Sequence, residues 1–183
     1  SNKEKNELNL NDLEKQFIVP LFKNSDIYKF TTRKNQNLNL INLSFPKNKE
    51  LDLSEIPHLF QYISQFEKIL KGRKSNDNGL RSWVKNGFWW GFTIRNLDFS
   101  QPKIVAPQRS KTNTFGYNEI PWYASADVYF ITQPKENYNL KYILGVLNSK
   151  LIYKWLYYRG KRKGDMLELY QKPLSEIPIA KAK

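Results

Sequence analysis

Gln108, Arg109, Lys111 and Asn113 form a short run of hydrogen-bonding side chains. Arg, Lys, Asn and Gln are the residue types that reach base edges in the major groove, so the run suits the reading of nucleic-acid sequence. Any exposed polar loop has a similar composition. A second group, Arg159, Lys161, Arg162 and Lys163, is interleaved with Gly160 and followed by Gly164. It suits a clamp on backbone phosphates, and equally a solvated surface turn. Lys71, Arg73, Lys74, Arg81 and Lys85 make a third basic group and a second candidate for phosphate contact.

Residues for covalent or metal chemistry are sparse. His58 is the only histidine, which removes His-pair metal sites, HNH-type nuclease centres and Ser-His-Asp catalysis. It falls in the first turn of an expected helix, where a structural or solvated role fits. No Glu has Lys two positions on, against the common two-carboxylate-plus-lysine nuclease. Neither a G-x-G-x-x-G spacing nor a Gly-Lys-Ser/Thr ending occurs, so no glycine-rich phosphate cradle is expected. The Asn/Asp-Pro-Pro-Tyr/Phe tetrapeptide that holds an adenine amino group in amino-methyltransferases is also missing.

The 183 residues are enough for one domain with a substantial core. The formal net charge of +13 favours polyanionic partners, nucleic acid foremost. Lys, Asn and Ile are enriched together, as AT-rich coding would produce, so part of that charge can be compositional. No segment approaches the roughly 18 apolar residues of a membrane span, and no secretory leader is visible. The absence of cysteine excludes disulfides and thiolate metal sites and fits a cytoplasmic location. A start at Ser1-Asn2, with Met166 the only methionine, fits an excised fragment as well as removal of an initiator.

Periodicity supplies the elements that would carry these groups. A helix is expected from Asn11 to about Lys23, with Asn11 as cap and Pro20 kinking or ending it. Leu38 to Phe45 alternates as a strand closed by Pro46. Ser54 should cap a helix with a Leu59–Tyr62–Ile63–Phe66–Ile69–Leu70 stripe, ending near Gly72. Residues 75–79 read as a loop, and the aromatic stretch from Trp83 through Phe92 to Ile94 as containing a strand. Those aromatics suit core burial better than base stacking. Strands are expected at Lys103–Ala106 and at Asp127–Ile131, with the Arg109–Asn113 loop between them. A third helix starts near Asn139 and is interrupted at Asn148-Ser149, where a bend or a second start fits. Asp165 is expected to cap a short last helix. Together these elements predict an α+β fold, a small mixed or antiparallel sheet packed with helices in one domain.

In order and spacing, several segments resemble one family. They are Ile18-Val19-Pro20-Leu21 with Asp26-Ile27-Tyr28-Lys29-Phe30, Gly72-Arg73, Leu80-Arg81-Ser82-Trp83, and Lys103-Ile104-Val105-Ala106-Pro107. Phe115-Gly116-Tyr117, Tyr129-Phe130-Ile131, Leu147-Asn148-Ser149-Lys150-Leu151-Ile152 and Leu174-Ser175-Glu176-Ile177-Pro178-Ile179 continue the series. The whole resembles the TaqI-like C-terminal specificity domain of type II restriction-modification methylases. The resemblance implies a non-catalytic domain, residues 1–183, that binds double-stranded DNA and selects its sequence. It implies an N-terminal methyltransferase domain of the same parent chain as partner. That domain would bind S-adenosylmethionine and methylate adenine N6 in a flipped base, and in some members a nuclease is fused.

Other readings stay open at this level. Leu147-Asn148-Ser149-Lys150 and Ile177-Pro178-Ile179 also suit half of a type I specificity subunit. Asp98, Glu119 and Asp127 lie close enough in sequence for a nuclease with an unfamiliar carboxylate set, and the aromatics leave room for a single-strand or RNA-binding module.

Overall fold

The computed structural model describes residues 1–45, 51–73, 78–93, 99–132 and 138–180. The chain gathers into two compact units, one of Ser1–Pro20 with Asn37–Leu97, the other of Leu21–Gln36 with Asp98–Lys183. Both mix helices with small sheets, which is the α+β class expected.

The first unit opens with α1 (Asn2–Glu7) and α2 (Asp12–Gln16). In α2 the Asn11 side chain accepts from Glu14 N–H and Glu14 accepts from Asn11 N–H, both at 2.8 Å, a reciprocal capping box. The expected continuation of this helix to Lys23 is absent, and β1 (Ile18–Phe22) takes its place. Ile18 and Val19 are β-branched and Pro20 has no N–H to give a helix, so the local sequence favours extension. The chain passes from the first unit to the second within β1.

In the second unit β2 (Ile27–Tyr28) and β3 (Thr31–Thr32) form a hairpin with Lys29 and Phe30 as its loop. Phe30 has φ +69°, a left-handed conformation usually given to Gly or Asn. Such a conformation costs a bulky residue about 1–3 kcal/mol.

The chain returns to the first unit through β4 (Leu38–Ile41) and β5 (Ser44–Phe45). The single strand expected over Leu38–Phe45 breaks at Asn42-Leu43, where Leu43 N–H turns back to Ile41 O (3.2 Å). The expected helix from Ser54 to Gly72 is also divided, into α3 (Pro57–Ser64) and α4 (Glu67–Lys71). At the break the Ser64 hydroxyl donates to Phe60 O (2.7 Å), competing with the helix's own bonding. Ser54 is not the cap. It lies in a 3-10 turn capped by Asp52, and α3's own first residues offer no side-chain acceptor. The acceptor comes from α2: Glu14 Oε1 takes the N–H groups of His58 (2.7 Å) and Leu59 (2.9 Å). Gly72 closes α4 as expected.

Helix α5 (Asn78–Lys85) occupies ground expected to be loop and aromatic strand, and the strand of that stretch is β6 (Phe92–Thr93), parallel to β5. Residues 75–77 and Ile94 lie outside the described residues. Trp89 and Trp90 are buried in the first core with Leu43, Ile56, Leu59 and Ile63.

The rest of the second unit runs β7 (Lys103–Pro107), β8 (Arg109–Ser110), β9 (Gly116–Asn118), β10 (Tyr123–Ala124) and β11 (Val128–Ile131). Strands β11, β7 and β9 make an antiparallel sheet in which Val105 faces Phe130 on one side and Gly116 on the other. Helices α6 (Leu140–Leu147) and α7 (Lys150–Arg159) carry the predicted third helix, with the second start at Asn148-Ser149. Asn139 accepts from Lys141 N–H to cap α6, and Ser149 accepts from Ile152 N–H to cap α7. Leu144, Leu147, Ile152 and Leu156 bury their stripe against Ile104, Ala106 and Phe115, each fully buried side chain contributing about 1.5–3 kcal/mol.

The chain ends in β12 (Lys161–Lys163), β13 (Met166–Glu168) and α8 (Gln171–Ser175). Asp165 does not cap a helix: with Gly164 it forms the two-residue loop between β12 and β13. Gly164 has φ +58° at the first loop position, where a type II′ hairpin turn calls for glycine.

Candidate nucleic-acid interface

Arg109 and the basic residues Lys161–Lys163 are far apart in sequence, and the second unit joins them in one sheet of order β12-β13-β8. Lys161 pairs with Glu168, and Glu168 pairs in turn with Arg109. Residues opposite one another in a sheet share a face, so Lys161, Glu168 and Arg109 form one row across it. Lys163 lies on the same face by alternation, and Arg162 on the other.

Glu168 organises the row. Its side chain is 5% exposed, and Oε1 accepts from Arg109 Nε while Oε2 faces Lys161 Nζ, both at 3.2 Å. Arg109 Nη2 donates to the Tyr170 hydroxyl (2.8 Å), which donates to Glu168 Oε1 (3.0 Å). Lys161 Nζ also stands over the Tyr170 ring, 5.3 Å from its centre. Burial by itself would raise the Glu168 pKa; the hydrogen bonds from Tyr170, Lys161 and Arg109 outweigh it and hold the carboxyl below its ordinary value. On the other face the Arg162 guanidinium lies 4.0 Å from the Tyr157 ring centre. Arg159, the last residue of α7, and Lys163 are exposed.

Gly160 and Gly164 are constrained rather than flexible. A Cβ on Gly160 would lie 2.5 Å from Leu156 O, so only glycine lets the chain leave α7 so closely for β12.

The run from Gln108 to Asn113 is not one exposed loop. Gln108 is half-buried, and its backbone bonds Asp127 O (2.7 Å) and Leu169 N (2.9 Å). Arg109 is in β8, and Lys111 is exposed in the turn that follows. Asn113 is buried, 1% exposed. Its amide donates to Leu147 O (2.6 Å) and Ser149 O (2.8 Å), and its Oδ1 accepts from Lys29 Nζ (3.1 Å). Asn148 answers from the helix junction: it accepts from Phe115 N–H (3.1 Å) and donates to Phe115 O (2.8 Å). The end of the loop is thus stitched to the start of α7.

The third basic group lies in the first unit. Lys71 pairs with Glu67 on α4. Arg73 turns inward, its guanidinium donating to Leu70 O (2.8 Å), Trp89 O (2.6 Å) and Gly91 O (2.9 Å). Arg81 and Lys85 are exposed on α5, and Lys74 lies outside the described residues.

Glu168 and Tyr170, which hold the row together, were not among the residues singled out from sequence. The alternation of Met166, Glu168 and Tyr170 with Leu167 and Leu169 was the available signal. Among the described residues no three His, Asp or Glu side chains cluster as a metal site needs. Asp127 accepts from the Ser125 hydroxyl, Glu119 pairs with Lys141 at 3.7 Å, and Asp98 lies outside the described residues. No helix among the described residues is long and apolar enough to cross a membrane.

Comparison with known proteins gives a consistent set. The type II methyltransferase M.HindII of Haemophilus influenzae is 29% identical over 142 residues, covering 72% of this chain and 26% of that protein. M.HincII of the same species is 27% identical over 183 residues, covering 95% and 35%. M.MjaIV of Methanocaldococcus jannaschii is 26% identical over 175 residues, covering 93% and 56%. The chain therefore spans between 26% and 56% of the length of these relatives. Among solved structures, the Type IIL restriction-modification enzyme MmeI in complex with DNA superposes with a TM-score of 0.62 at 16% identity. The match covers 94% of this chain and 21% of that one, and shows the shared fold. The family described as the TaqI-like C-terminal specificity domain matches residues 19–179, and this chain belongs to it.

Proposed function

We propose that this chain is the double-stranded DNA recognition domain of a type II restriction-modification methyltransferase. The observation that carries the reading is the β12-β13-β8 sheet, which sets Arg109 and Lys161 around the Glu168 carboxylate with Lys163 on the same face. Arg109, Lys111 and Gln108 are the base-edge candidates, and Arg159, Lys161, Arg162 and Lys163 bind phosphates. Among the described residues nothing takes Arg109 Nη1 or the second Nη2 proton, which leaves for a ligand a donor fork already oriented by Glu168 and Tyr170. Asn113 and Arg73 are reassigned to holding the fold, because the Asn113 amide and the Nε and Nη2 of Arg73 all donate inside it. Lys71, Lys74, Arg81 and Lys85 remain a second phosphate patch.

The catalytic part belongs to the parent protein. We assign it adenine-N6 methylation with S-adenosylmethionine, and in a fused parent DNA cleavage. This sequence has neither a glycine-rich cradle nor the tetrapeptide that holds adenine, so no chemical step is placed on it. Nucleoside analysis of duplex methylated by the parent should give N6-methyladenine; 5-methylcytosine would reject that assignment. Half of a type I specificity subunit, with a related recognition domain, is the alternative, but the relatives described above are type II methyltransferases. A single-strand module reading bases through Trp89 and Trp90 is disfavoured, since both are buried.

The test is fluorescence-anisotropy binding to a random duplex pool across a salt series. Affinity should fall steeply with salt, with a slope equivalent to roughly 4–8 neutralised phosphates. No binding at low salt, both alone and with the methyltransferase part attached, would reject the reading.

A further inference from the structure

The tip of the β2–β3 hairpin holds a residue that the fold itself disfavours. Phe30 is 54% exposed, so its ring gains little from burial. Its φ of +69° is one that glycine would adopt without strain. Strain of this kind persists where the surroundings fix it, and such positions gather at ligand contacts. Here the surroundings do fix it. Phe30 N–H donates to Phe115 O (2.8 Å), Lys29 Nζ donates to Asn113 Oδ1 (3.1 Å), and Tyr28 pairs with Thr31 to close the loop. Gly116 admits the hairpin closely, since a Cβ there would meet Thr31 O at 2.5 Å. Tyr28, 45% exposed, adds a second ring to the tip. The same bonds set the tip beside Asn113 and Phe115, at the end of the turn that carries Lys111.

We propose that Phe30 is an aromatic wedge that enters the DNA duplex at a base step next to the turn from Lys111 to Asn113 and stacks on the bases there. The proposal rests on the duplex-reading function above. Apolar side chains that part a base step do so from a firm support, and a ring already fixed on a strained loop loses little freedom on binding. Stacking accepts any base, so Phe30 would hold the deformed step while Arg109 reads an edge. The exposed cation Lys111, and Arg33, which is exposed though paired with Asp26 at 3.1 Å, favour nucleic acid over an apolar protein surface as the partner.

The strain makes a clean test, because Phe30→Gly removes the ring and relieves the backbone together. The 183-residue chain and its Phe30→Gly and Phe30→Trp variants are titrated with a duplex enriched from a random pool by the wild-type chain, labelled in turn with 2-aminopurine at each adenine. Phe30→Gly should melt no lower than wild type, bind about tenfold more weakly, keep the wild-type salt slope and lose the 2-aminopurine brightening. Phe30→Trp should keep both affinity and brightening. If Phe30→Gly binds and brightens as wild type does, the wedge is wrong and the DNA reading stands. If the wild-type chain enriches no duplex at low salt, the DNA reading falls and the wedge with it.

Discussion

Arg109 and Lys161, on different strands and far apart in sequence, converge on the carboxylate of Glu168, each at 3.2 Å from one of its oxygens. The carboxylate fixes the guanidinium while cancelling part of the charge that would attract DNA. Replacing Glu168 with Gln should therefore separate affinity from selectivity. Binding to random duplex should hold or tighten, while discrimination between the preferred and random duplexes falls by about tenfold, as expected for one good base contact. Parallel anisotropy titrations measure both, and unchanged discrimination would remove Arg109 from base reading.

The phosphate assignment for Arg162 and Lys163 is a statement about salt. Changing both to Ala should weaken binding to all duplexes alike and reduce the slope of log affinity against log salt by about 1 for each phosphate no longer neutralised. A slope equal to wild type would make the β12 cations a solvated surface.

Asn113 and Lys111 are neighbours in sequence with opposite expected phenotypes. Asn113→Ala leaves Leu147 O without its side-chain donor and removes one of the two donors to Ser149 O, which keeps Tyr153 N–H, and should cost about 1–3 kcal/mol in urea unfolding. Lys111→Ala should leave stability within about 0.5 kcal/mol and weaken DNA binding.

Glu14 predicts an acid limb for the first unit. Burial alone would raise its pKa; the N–H groups of Leu59, Asn11 and His58, with the His58 ring, more than reverse this, and the carboxyl lies below its ordinary value. The ionised form thus favours the folded state. Its contribution is present above the ordinary carboxylate pKa and is lost as pH falls through the lower, folded-state value. Glu14→Ala should cost about 1.5–3 kcal/mol at neutral pH and flatten the loss of stability on acidification. Equally steep acid limbs in both proteins would assign the titration elsewhere.

Elements whose causes are local were legible in the sequence: Asn139 and Ser149 cap the helices they precede, and the strands at Lys103 and Val128 lie where β-branched and aromatic residues concentrate. What escaped depends on distant partners. Ser54 is a good capping type, but the N–H groups of α3 go to Glu14 from another helix. Lys161, Arg162 and Lys163 have no apolar alternation, and they are extended because β13 pairs with them. Four hydrogen-bonding types between Gln108 and Asn113 look alike in sequence, and only burial separates Asn113 from Lys111.

The reciprocal bonds between Asn148 and Phe115 bear on how such a domain diversifies. They tie down the loop end from beneath, together with Asn113, and leave Lys111 and the β12 side chains outside the stitching. Substitution at those outer positions leaves these bonds intact, whereas substitution at Asn113 or Asn148 breaks them and is felt first in folding. On the proposed function, new target preferences would then be within reach of single substitutions that leave the helix junction unchanged.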